Sequence, residues 1–86
     1  MFYFYLLKNK FKNIYIGYTA DLRQRIKDHN YGKVDVTKDK KPWQIFYYEA
    51  YLSEDDARLR ESTLKNYGSI LGQLKKRISK SLGYSL

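Results

Sequence analysis

Two short runs dense in aromatic and branched residues, Phe2 to Lys8 (FYFYLLK) and Ile14 to Tyr18 (IYIGY), stand only a brief, mostly polar stretch apart. Residues Asn9 to Asn13 are too few for a crossover, so the two runs are expected to pair back as an antiparallel hairpin. Period-two alternation puts Phe2, Phe4 and Leu6 on one face of the first strand and Tyr3, Tyr5 and Leu7 on the other. Both faces are apolar, so this strand should be covered on both sides. Tyr15 and Gly17 share a face of the second strand. A glycine inside a strand marks either a bulge or a close approach by another group.

The rest of the chain alternates in period. Leu22 and Ile26 seed a helix from about 21 to 30, with Asp21 and Gln24 spaced as a capping box and Gly32 suited to the exit. Arg25 and His29 lie four apart, beside its apolar seam. Residues 33–41 (KVDVTKDKK) carry four lysines in nine positions and read as a mobile basic loop, ended by Pro42. A third strand is predicted from Trp43 to Tyr51. Ser53 and Asp56 suggest a second capping box, opening a helix that stops at Gly68. A last helix is predicted from about Ser69 to Leu82, its apolar stripe formed by Leu71, Leu74, Ile78 and Leu82. The expected fold is α/β (α+β), a small three-stranded sheet flanked by helices in the order β-β-α-β-α-α. The third strand arrives through a helix, which leaves a mixed sheet open.

With 86 residues the chain has room for one domain, expected over 1–82 with 83–86 as a short tail. It has no Cys and one His, which excludes disulfides, thiolate metal sites and His-rich metal sites. Any metal then rests on carboxylate and water, the chemistry of Mg²⁺ or Mn²⁺. No apolar run is long enough to span a membrane and no signal pattern opens the chain, so a cytoplasmic protein is the default expectation. The net charge of +8 favours a polyanionic partner, nucleic acid before an anionic membrane surface.

One residue conflicts with its surroundings. Ala57, Glu61 and Leu64 fall on one helical stripe, which draws Glu61 inward with its apolar neighbours. An unpartnered buried carboxylate costs several kcal/mol or more. Either a basic side chain such as Arg58 or Arg60 satisfies it, or it reaches water at the edge of the seam, or it holds a metal in a cleft.

Taken together, these residues resemble the GIY-YIG nuclease family. Tyr3-Phe4-Tyr5 stands where the first signature lies, and Tyr15-Ile16-Gly17 is a literal YIG. Arg25 follows Tyr15 by ten residues and His29 follows Arg25 by four. Glu61 sits in an RExxLK stretch, Arg60 to Lys65. The segments IGYTADLRQRI, GKV-x-x-T-K, PW and YYEAYLSEDDAR are similar to the compact single-domain branch, related to the N-terminal domain of the excision-repair nuclease UvrC.

The resemblance implies a metal-dependent endonuclease that hydrolyses phosphodiesters; nothing in the sequence resembles a base-reading code and one small site suits one strand, so DNA nicking selected by structure is expected. Tyr5, Tyr15, Arg25, His29 and Glu61 would form the catalytic site. Glu61 would hold one Mg²⁺ or Mn²⁺, and Arg25 would face the phosphate. Tyr5, Tyr15 and His29 all remain open as the base, with a preference for a tyrosine. Lys33, Lys38, Lys40, Lys41, Lys65, Lys75, Lys76 and Arg77 would make sequence-independent contacts to nucleic acid, DNA before RNA, in a monomer or weak homodimer.

The chain departs from the family pattern in three places. Tyr3 replaces a glycine, Tyr18 stands where some members carry a lysine, and Gln73 or Asn66 replaces an asparagine. These departures keep open a catalytically weak nucleic-acid-binding module of the same fold, and the aromatic sheet keeps open a protein-interaction domain.

Overall fold

The computed structural model describes residues 1–83. Most of the predicted tail, residues 84–86, lies outside them. Strands β1 (Phe2–Lys8), β2 (Ile14–Thr19) and β3 (Gln44–Tyr51) form one sheet in the order β2-β1-β3. Both pairings are antiparallel, so the mixed sheet left open by the sequence is not found. Helix α1 (Leu22–Asn30) carries the chain from β2 past β1 to the far edge. Strands joined by such a crossover run in the same direction, and β1 lies between them, antiparallel to each.

Phe4 and Leu6 are fully buried on one face, against Leu64 of α2 (Glu54–Asn66) and Leu74 of α3 (Gly68–Arg77). Tyr5 and Leu7 are fully buried on the other, with Trp43, Tyr15 and, from α1, Leu22 and Ile26. The two-faced burial predicted for β1 is what the fold uses. Each such side chain contributes about 1.5–3 kcal/mol on leaving water.

Glu49 of β3 shares the first face with Phe4, its register partner. The Tyr47 and Tyr51 hydroxyls donate to its carboxylate, and Arg60 donates through Nε at 3.0 Å and through a terminal nitrogen at 3.2 Å. Burial alone would raise the Glu49 pKa; the three donors outweigh it and hold the carboxyl below its usual range.

Several local expectations are corrected. Asp21 caps α1 by accepting from the Gln24 N–H at 3.1 Å, but Gln24 turns its side chain to Asp28 and does not close the box. Ser53 precedes α2 without a capping hydrogen bond from its side chain. There the acidic first turn, Glu54 to Asp56, meets the helix dipole instead. Tyr67, not Gly68, separates α2 from α3 (φ −127°, ψ 89°), and Gly68 begins the next helix.

The long last helix is also interrupted. Ile78 (φ −115°, ψ 32°) divides α3 from α4 (Ser79–Leu82). The turn lets Leu82 become fully buried, and Lys8 caps α4 by donating to the Leu82 carbonyl at 2.7 Å.

The basic loop is tethered, contrary to the mobile loop predicted. Asn9 Nδ2 donates to the Lys40 carbonyl at 2.9 Å. Asn30 brackets Trp43, accepting from its N–H at 2.6 Å and donating to its carbonyl at 3.0 Å. Trp43 Nε1 donates to the Thr37 carbonyl at 2.9 Å, and Thr37 is 1% exposed.

Candidate active site

The site is assembled around Gly17. Register sets Tyr5 opposite Gly17, and the Tyr5 ring lies across the bare glycine backbone. A Cβ at Gly17 would stand 2.5 Å from the Tyr5 hydroxyl oxygen and 3.0 Å from Tyr15 Cε2. The strand glycine is therefore a close approach, and no register shift falls at that point of β2.

Helix α1 delivers the next two residues. His29 is fully buried beneath it. Its Nε2 lies 2.8 Å from the Tyr5 hydroxyl and its Nδ1 lies 2.7 Å from Thr37 Oγ1. The Tyr15 ring meets the imidazole edge to face, with centroids 4.8 Å apart. One turn earlier, the partly exposed Arg25 places its positive charge near the Tyr5 hydroxyl.

Glu61 arrives from α2. Its side chain is 19% exposed, and Oε2 lies 3.4 Å from Lys65 Nζ, one turn along the helix. Lys65 Nζ stands 5.9 Å from the centre of the Tyr15 ring. The Glu61 charge is also felt at Tyr5. Tyr5, Tyr15 and His29 thus make one contact cluster with the Arg25 charge nearby, and Glu61 joins it through Lys65. Arg60 is committed to Glu49 and Arg58 lies over Tyr18, so the basic neighbour of Glu61 is Lys65.

Of the basic residues predicted to meet nucleic acid, Lys33, Lys38, Lys40 and Lys41 are exposed on the tethered loop, with Lys38 3.7 Å from Asp35. Lys75, Lys76 and Arg77 lie in the last turn of α3. Arg77 lines a cavity of about 230 Å³ with Arg60, Ile70, Gln73 and Leu74, and its charge acts on Tyr47. It belongs to the Glu49 side of the molecule. Sequence reasoning gave Thr37, Trp43, Asn9 and Asn30 no role, although all four hold the loop that closes over His29. Their signal was only that polar side chains flank a buried aromatic.

The electrostatics bear on two of the three base candidates. Burial, helped by Tyr15 and Glu61 and opposed by Arg25, pushes the Tyr5 pKa up to about 12. Burial and the Arg25 charge push His29 down to about 4. Tyr5 stays protonated and His29 neutral at physiological pH, and neither reaches solvent. Tyr15 is half-buried, and among the described residues its hydroxyl has no hydrogen-bond partner.

The His29 shift has a consequence for stability. The folded state disfavours the imidazolium, so between about pH 6.5 and 4 the unfolded chain binds the extra proton. Stability is retained above that window and lost as pH falls through it. At about 1.4 kcal/mol per unit, the loss is on the order of 3 kcal/mol. Thermal melts of wild type and His29→Gln at pH 7 and pH 5 check this: the wild type should lose more on acidification than the variant. Glu49 responds only lower, as its own carboxyl protonates.

The donor set suits a hydrated hard cation. Among the described residues no three His, Cys, Asp or Glu side chains cluster. Glu61 therefore offers a single carboxylate, enough for an ion that keeps most of its waters and shares the rest of its shell with a substrate phosphate. The Lys65 ammonium now beside it is 46% exposed and can swing away.

The model of the GIY-YIG catalytic domain matches residues 1–69 of this chain. The chain belongs to the GIY-YIG family. Its relatives include a UPF0213 protein of Bacillus pumilus, 35% identical over 66 residues, 76% of this chain and 67% of that one. A UPF0213 protein of Staphylococcus haemolyticus is 36% identical over 76% of this chain and 80% of its own length. The solution NMR structure of the UPF0213 protein BH0048 from Bacillus halodurans aligns with a TM-score of 0.54. It covers 99% of this chain and 100% of that one at 29% identity. Among the described residues no helix is long and apolar enough to cross a membrane.

Proposed function

We propose that this GIY-YIG domain is a metal-dependent endonuclease that nicks DNA according to its structure. The observation that carries the reading is the contact cluster of Tyr5, Tyr15 and His29 with the Arg25 charge nearby, and the Glu61 carboxylate joined to it through Lys65. A divalent ion held by Glu61 would supply charge neutralisation at the phosphate and a stabilised leaving oxygen.

The chain's own residues do the rest. Arg25, always charged and placed near Tyr5, presents its fork of donors to phosphate oxygens. Tyr15, as a phenolate whose own proton has gone to solvent, would take the proton of the attacking water; its partial exposure favours it over Tyr5 and His29. Lys65 stands over the Tyr15 ring from α2, so a cation is present although Tyr18 replaces the lysine that some members carry after the YIG. That contact favours a working nuclease over the inert binding module. The exposed lysines of the loop hold backbone phosphates without reading bases.

Purified protein incubated with nicked, flapped, branched and single-stranded DNA in Mg²⁺ or Mn²⁺ tests the reading. Cleavage of at least one structured substrate is expected. Salt-dependent binding with no cleavage of any substrate in either metal would replace the nuclease with the binding module. Arg25→Lys, which keeps the charge and loses the fork, should lower kcat about 10²-fold, as removal of a preorganised donor does. Single-turnover kinetics check this, with binding at low salt nearly unchanged.

A further inference from the structure

We propose that Thr37 is a positioning residue of this site. By accepting the Nδ1 proton of His29 it fixes the imidazole tautomer, turns the Tyr5 hydroxyl proton into Nε2, and leaves the lone pairs of the Tyr5 oxygen to the Arg25 charge nearby. The consequence for catalysis rests on the nuclease reading; the direction of the hydrogen bonds does not.

The direction follows from counting protons. Arginine has donors and no acceptor, so the Arg25 charge near Tyr5 cannot take the hydroxyl proton. Within hydrogen-bond distance of that hydroxyl lies His29 Nε2, at 2.8 Å, and Tyr5 is fully buried. If His29 donated to it, the Tyr5 proton would be buried without an acceptor, which costs the full desolvation of a hydroxyl. Nε2 must therefore carry the lone pair and Nδ1 the proton.

The chain then closes at its other end. Thr37 Oγ1, 2.7 Å from Nδ1, accepts, and its own hydroxyl proton goes to the Val34 carbonyl at 3.3 Å. Every buried proton from Tyr5 to Val34 has an acceptor in this arrangement, consistent with the lack of unsatisfied buried side-chain polar atoms among the described residues. The opposite tautomer would suit only an ionised Tyr5, and burial keeps that hydroxyl protonated.

Thr37 is held for this task. Its N–H donates to the Val34 carbonyl at 3.1 Å, its carbonyl accepts the Trp43 indole, and the loop around it is tied to Asn9 and Asn30. The tethered loop is thereby a clamp on the tautomer of a residue eight positions earlier, and through Tyr5 on the aim of Arg25.

Long-range ¹H–¹⁵N correlation of the His29 ring, in full-length protein at neutral pH, reads the tautomer directly. The wild type is expected to show Nδ1–H with unprotonated Nε2. Thr37→Val, nearly the same shape without the hydroxyl, should shift the ring toward Nε2–H, and Thr37→Ser should restore Nδ1–H. On a cleaved substrate, Thr37→Val should lower kcat about tenfold while KM holds, with recovery in Thr37→Ser. A wild-type ring in the Nε2–H form overturns the proposal, as does a Thr37→Val protein with unchanged tautomer and rate. If Thr37→Val does not fold, the wild-type and Thr37→Ser spectra still decide the tautomer. A wild type that cleaves nothing removes the nuclease reading and leaves the tautomer result standing.

Discussion

Glu61→Gln is expected to reduce metal-dependent cleavage by about 10³-fold while leaving the fold intact. The metal's charge stabilisation amounts to several kcal/mol of the barrier, and about 1.4 kcal/mol separates each decade of rate. The substituted amide would keep the volume of the side chain against Ala57 and Leu64 and remove the charge that holds the ion. The lost pair with Lys65 is small, since a half-exposed lysine in a helical i,i+4 pair contributes about 0.3–0.5 kcal/mol. Single-turnover cleavage with parallel melting curves separates the two effects. A rate loss of this size with a nearly unchanged Tm supports Glu61 as the metal ligand. Equal cleavage by both proteins removes it from the site.

Gly17→Ala should be the most damaging small substitution in the sheet. Its Cβ would fall 2.5 Å from Tyr5 Oη and 2.6 Å from Cζ. Tyr5 cannot step aside, because its ring is fully buried and its hydroxyl is fixed by His29. Overpacking of this kind costs about 1–3 kcal/mol, and for a domain this size each kcal/mol moves Tm by about 4–8 °C. A fall of about 5–20 °C is expected in a thermal melt. Combining Gly17→Ala with Tyr5→Leu, which removes the obstructing atoms, should recover part of the loss relative to the sum of the single changes. Strict additivity would mean that the ring is not the obstacle.

Much of this architecture could be read from the residues because it depends on local period. The hairpin, the two-faced burial of β1 and the amphipathic stripes of α1 and α2 follow from spacings of two and of three to four. The YIG, Arg25 and His29 were marked by the family resemblance, and one strand and one helix fix their separation in space. Glu61 was marked by a conflict, a carboxylate on an apolar stripe.

What local pattern missed depends on distant partners. Ser53 has the right type for a cap, yet its side chain makes no capping bond. Gly68 reads as a stop but begins a helix, and Ile78 leaves helical geometry where the chain turns to bury Leu82. The four lysines of residues 33–41 suggested a free loop. The fold instead pins that loop through Asn9, Asn30 and Trp43, in bonds spanning 13 to 31 positions that no window of sequence displays. Thr37 was visible as a letter in a motif; its contact with His29 appears only once α1 and the loop are folded together. Lys65 was assigned to nucleic acid from its charge, and its place between Glu61 and Tyr15 depends on how α2 packs at the sheet.

The central claim is that one pocket holds a hydrated divalent ion on Glu61 beside Tyr15 and Arg25. Titrating Mn²⁺ into ¹⁵N-labelled protein and following paramagnetic broadening of the amide signals locates the ion without relying on turnover. The account predicts broadening centred on Glu61 and extending to Tyr15, Gly17 and Arg25, and its loss in Glu61→Gln. Broadening centred instead on the acidic first turn of α2, Glu54 to Asp56, and unchanged in Glu61→Gln would contradict it.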